Sequence, residues 1–89
     1  MNRIEIFCLF DKVSARFGNP IFEVNVAVMM RGLSDEVGRS GEPGMLAKHP
    51  DDFALYFLGS FDQTTGKFNC GEPVLLCEVR TLVPNELRS

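Results

Sequence analysis

The sequence predicts a small α+β domain: a mainly antiparallel sheet of four to five strands with one amphipathic helix packed on it. Three features lead there. The run Phe53-Ala54-Leu55-Tyr56-Phe57-Leu58 is apolar on both of its alternating faces and is followed by the turn residues Asp62-Gln63-Thr64-Thr65-Gly66-Lys67. Arg3 to Phe10 alternates in the same way, with Ile4, Ile6, Cys8 and Phe10 on one side and Glu5, Phe7 and Leu9 on the other. Between these runs, Val26, Met30, Leu33 and Val37 recur at spacings of four, three and four, which places them on one helical face.

Eighty-nine residues make one domain with one modest core, read here as residues 1–81 followed by a tail, 82–89, that contains Pro84. With 45% hydrophobic and 24% charged residues the chain is ordinary globular material. Eight phenylalanines against one tyrosine and no tryptophan predict a core of flat, bulky rings. No internal repeat or low-complexity segment is read from the chain.

In chain order, the first strand gives way to a polar loop from Asp11 to Asn19 with at most one irregular helical turn, ended by Pro20. Ile21 to Val24 forms a short strand leading into a helix from Asn25 to about Val37. Asn25 is its N-cap, and Gly38 and Gly41 are its stops. Gly32 either costs the helix about 1 kcal/mol or marks a close approach of another backbone. Arg39 to Lys48, with Gly41, Pro43 and Gly44, is a loop of functional length. His49-Pro50 is a breaker before the central strand. A short return strand around Phe68 follows the turn, where Gly66 supplies a positive φ. Cys70 to Pro73 is a break, and Val74 to Val79 is the last strand. The two best strands are apolar on both faces while one helix covers part of one face, so a homodimer is expected.

Composition excludes more chemistry than it admits. Three cysteines without a C-x-x-C pair fit a reducing compartment and give neither a disulfide scaffold nor a zinc site. The single histidine, His49, stands among Asp51 and Asp52 with Asp62 beyond. Such a histidine is far more often structural than a ligand, and no metal-ligand spacing is present. There is no nucleophile elbow, and Thr64-Thr65-Gly66-Lys67 lacks the glycine-rich loop of a phosphate cradle. The expectation is a protein that is not an enzyme and carries no cofactor. No run reaches the roughly 20 apolar residues of a membrane span.

A net charge of −3 and nine scattered basic residues argue against strong non-specific binding of nucleic acid. A local patch could still form from Lys12, Arg16, Arg31, Arg39 and Lys48, with Tyr56, Phe57, Phe61 or Phe68 as stacking rings. Solvated charge and core packing are the commoner roles for these residue types.

The run HPDDFALYFLGSFDQTTGK, residues 49–67, resembles the "hPeDY-x-Ly-x-lG-x-FD-x-x-tG" signature of the small nonstructural protein of gokushovirus-type microviruses, which are single-stranded DNA phages. MMRGLSDEV, residues 29–37, is similar to that family's "A-x-R-a-F-x-D-x-v" helix, and IEIFCLFD resembles its first strand. Phe53 stands where tyrosine is common and Leu33 where phenylalanine is common, so apolar bulk is kept at both. The resemblance implies work in the host bacterial cytoplasm during single-stranded DNA replication or packaging, a role likened to that of protein C in related coliphages. It adds weight to Arg31, which aligns with the family's helix arginine. Two modes of action follow: direct binding of single-stranded DNA through Lys12, Arg16, Arg31, Arg39, Lys48 and Tyr56, or docking to a phage or host replication protein without DNA contact.

Overall fold

The structure, a computed structural model, describes residues 2–38 and 43–84. Its centre is an antiparallel pair of long strands, β1 (Arg3–Asp11) and β4 (Phe53–Asp62), joined from Arg3↔Asp62 to Asp11↔Phe53. The free edge of β1 takes β2 (Arg16–Phe17) and β3 (Ile21–Glu23), and the free edge of β4 takes β5 (Lys67–Glu78). Helix α1 (Val26–Gly38), the one-turn helix α2 (Met45–Lys48) and a 3-10 turn at Pro50–Asp52 lie between β3 and β4 in the chain. A second 3-10 turn, Val79–Leu82, follows β5. The result is the α+β domain that the sequence predicts, with a curled antiparallel sheet and one long helix.

Burial follows the pleat. Phe7 and Leu55 face α1 at 0% exposure and meet Met29, Leu33 and Val37 of the helix together with Val79. Each such side chain contributes about 1.5–3 kcal/mol relative to an exposed position. Leu9, Ile21, Phe53, Phe57 and Leu46 pack around them. Asn25 caps α1 as predicted, its Oδ1 accepting from Val28 N–H at 2.9 Å. The buried stripe is Met29-Leu33-Val37, which keeps Leu33 and Val37 of the predicted face and has Met29 in place of Val26 and Met30. Met30 sits on the flank with its Sδ 3.9 Å from Cys77 Sγ, and Val26 is exposed.

Three segments differ from the sequence expectation, each for a local reason. Residues 11–19 do not stay a loop. Asp11 Oδ1 accepts from Val13 N–H at 2.9 Å and Ser14 N–H at 3.3 Å, which turns the chain back so that Arg16–Phe17 can pair with Asp11 and Phe10. Gly18 N–H then donates to Leu9 O at 2.7 Å, and β3 extends the pairing of the same edge. Of the predicted 39–48 loop, Met45–Lys48 is helical, and 39–42, including the predicted stop Gly41, lie outside the described residues. The predicted break at Cys70–Pro73 falls within a single strand of twelve residues, β5. Because β5 is an edge strand, Pro73 can be absorbed at an irregularity of the ladder, where the register shifts between Phe57 and Gly59. Further on, Leu82 and Val83 pack against the core, and 85–89 lie outside the described residues.

Two glycines are opposites. Gly59 has φ +150° and sits at that shift; a Cβ there would meet the Asn69 carbonyl oxygen and come within 2.7 Å of Cys70 Cα. Gly32, in mid-helix, has nothing within 4 Å of where a Cβ would stand, so no close approach explains it. Chemical denaturation is therefore expected to show Gly32→Ala stabilising the domain by about 1 kcal/mol. Gly59→Ala is expected to destabilise it by about 3 kcal/mol or more, since backbone strain and steric overlap add. Equal effects of the two changes would contradict this assignment.

Candidate nucleic-acid interface

The sheet face turned away from α1 is built by the other half of each alternation. It carries Ile4, Ile6, Cys8 and Phe10 of β1, Ala54, Tyr56 and Phe61 of β4, Phe17 and Phe22 of β2 and β3, and Phe68 and Leu75 of β5. Ile6, Cys8 and Ala54 are buried, yet Phe17, Phe22 and Phe68 are 47%, 46% and 63% exposed. The rings fall into two groups. Phe10 lies 4.8 Å from Phe17, and Tyr56 stands edge-on to both at 6.1 and 5.2 Å. Phe61 and Phe68 pair at 4.9 Å. Among the described residues paired in register, the charge this alternation brings to the face is Glu78 at its rim, which is ion-paired with Lys12; Glu72 falls in the unpaired part of β5.

Of the rings named from the sequence, Tyr56 is half-buried on this face. Phe57 is on the other side, edge-on to Phe7 at 5.7 Å within the core. The predicted cations do not converge on one patch. Lys12, in the turn after β1, donates its backbone N–H to Asp52 O at 2.8 Å, which brings the Met45–Asp52 segment and hence Lys48 to the same end as Arg16. That end is a mosaic, because Asp11, Asp51, Asp52 and Glu78 are there as well and Arg80 lies 3.6 Å from Asp51. Arg31 is exposed on α1, on the opposite side of the sheet from the rings. Arg39 lies outside the described residues. His49 is exposed, and among the described residues no group of three or more His, Cys, Asp or Glu is placed to hold a metal ion.

Sequence reasoning missed Phe17, Phe22 and Lys67, and it missed a repeat. Phe10-Asp11-Lys12-Val13-Ser14-Ala15-Arg16-Phe17 and Phe61-Asp62-Gln63-Thr64-Thr65-Gly66-Lys67-Phe68 share the frame F-D-x-x-x-x-(R/K)-F. Both are hairpins of one construction. Asp62 Oδ1 accepts from Thr64 and Thr65 N–H at 2.8 and 3.3 Å, as Asp11 does from Val13 and Ser14. Ala15 has φ 59° where Gly66 has φ 75°. The register pairs Phe with Phe and Asp with the cation in both. The reading of no internal repeat is thus corrected. The four middle residues differ, and only the shared ends carry the signal.

The thiols are free and differ in surroundings. Burial pushes the Cys8 thiol above its ordinary value. It does the same for Cys77, with Glu78 adding to the rise. Both are held as thiols at neutral pH, whereas Cys70 is exposed on β5. Limited alkylation followed by mass mapping is expected to modify Cys70 first, with Cys8 reacting only on unfolding. Equal rates at Cys8 and Cys70 in the native protein would show that this face opens.

Fold and face together define a small α+β domain with one helix-covered and one ring-bearing sheet surface. The chain belongs to the Phage ORF5 protein family, whose model matches residues 4–82. No curated protein and no solved structure matches it. Among the described residues no helix is long and apolar enough to cross a membrane.

Proposed function

We propose that this phage protein is an accessory factor in replication or packaging of a single-stranded DNA genome, working in the host cytoplasm by binding that DNA on the helix-free face of its sheet. The observation that carries this reading is the exposure of Phe17, Phe22 and Phe68 on a face whose described, register-paired residues are mostly apolar. Base-on-ring stacking contributes about 1–3 kcal/mol per base and tolerates any sequence, which suits a protein that follows a genome. The acidic balance and the Lys12–Glu78 pair leave few cations for phosphate. Stacking then contributes more to affinity than phosphate contacts do, and the salt dependence is shallow.

The same apolar character favours a second reading, in which the face docks a phage or host replication protein and touches no DNA. Fluorescence anisotropy of a labelled single-stranded oligonucleotide, titrated at low and near-physiological salt, separates the two. Micromolar binding is expected, with a log–log salt slope shallower than about −2, equivalent to two or three phosphate contacts. Phe17→Ala and Phe22→Ala are each expected to weaken it about tenfold. Absence of binding at low salt overturns the DNA reading and leaves the docking one.

A further inference from the structure

The two ends of the ring-bearing face are built alike. In each hairpin a cation directly precedes the outer phenylalanine on an edge strand: Arg16-Phe17 on β2 and Lys67-Phe68 on β5. Strand alternation sets each cation on the side of the sheet opposite its neighbouring ring, about 3.4 Å further along the chain. A polynucleotide that lays a base on the ring can therefore carry its phosphate over the edge to the cation. Arg16 and Lys67 are exposed, and neither has an ion-pair partner among the described residues. Asp11 and Asp62 stand opposite them in register, but each has one carboxylate oxygen engaged by two turn amides. At the second hairpin Arg3 lines the same shallow depression as Asp62, Thr65 and Lys67, adding a second cation there.

The central pairing fixes the separation of the two ends. β1 and β4 run antiparallel, so the hairpins lie at opposite ends of the face. Phe10 belongs to one ring pair, and Ile4 faces Phe61 of the other. They are six residues apart on β1, so the two ring pairs stand about 20 Å from each other.

We infer that the two F-D-x-x-x-x-(R/K)-F hairpins are paired contact points for one single-stranded polynucleotide. Each takes a base on Phe17 or Phe68 and a phosphodiester on Arg16 or Lys67. The inference rests on the DNA-binding reading above and adds to it a defined span: a strand gains full affinity only when it reaches both hairpins. Contacts joined by one strand act as a linked pair, so the second forms at a high effective concentration.

Anisotropy of the full chain with labelled oligothymidylates of increasing length tests this. Wild-type affinity is expected to step up at least tenfold once the strand bridges both hairpins. Arg16→Glu with Phe17→Ala, or Lys67→Glu with Phe68→Ala, is expected to remove the step while weakening the shortest strands only about twofold, because one of two like sites remains. Arg16→Gln and Lys67→Gln, which keep hairpin length and polarity, are each expected to reduce the step about threefold, and circular dichroism checks that every variant is folded. Wild-type binding whose length step survives both paired substitutions overturns the hairpin assignment and leaves the DNA reading standing. No wild-type binding at any length overturns both.

Discussion

The pairing of β1 with β4 is the constraint on which the rest depends. Both strands are apolar on both sides, so once they pair the chain has two greasy surfaces to settle. α1 settles one: Phe7 and Leu55 are closed off completely against Met29, Leu33 and Val37. The other is settled only in part. Curling of the sheet shields Ile6, Cys8 and Ala54 behind larger neighbours, and the shielding rings themselves are left facing outward. Exposed phenylalanine on this protein is thus the residue of a packing problem that one helix cannot finish, and function has that surface to use.

Charge is arranged to leave that surface alone. Of the carboxylates at the β1–β2 end, Asp11 accepts from two turn amides while Asp51 and Glu78 each stand beside a cation. Arg31 and Lys48 belong to the helical layer across the sheet. Any partner of a surface of this kind would be met by flat contact and by the few cations at its edges rather than by a broad electrostatic field. Arg16 and Lys67 sit at the edge strands that border this face, which is why the proposed binding mode gives them more weight than the basic residues elsewhere.

Most of the fold was legible in the residues. Two-sided apolar alternation marked β1 and β4, Asn25 marked the start of α1, and Asp62 with Gly66 marked a hairpin. What was missed has a local cause in each case. β2 is two residues long, too short for alternation to be read, and β5 was read as two strands because Pro73 and an irregular register interrupt it. β2 forms by pairing with β1, and the two halves of β5 are joined into one strand by pairing with β4. The ring-bearing face was half visible, since Tyr56, Phe61 and Phe68 could be named, but Phe17 and Phe22 joined it only through pairing with β1. The cations illustrate the converse: single positive residues scattered along a chain say little about where they gather.

The long outer strand also bears on how the sheet edge would meet another strand. β5 leaves one edge of the sheet uncovered, and its first ten residues are exposed, with Phe68, Val74 and Leu75 among them. A straight apolar edge of that length would invite a further strand from any neighbour and then another, the beginning of a fibril. Pro73 lacks the N–H that such an incoming strand would need, and the two register shifts break the edge into short, differently twisted pieces. The irregularities that make one strand read as two in the sequence are also the kind that make an edge a poor template for a further strand.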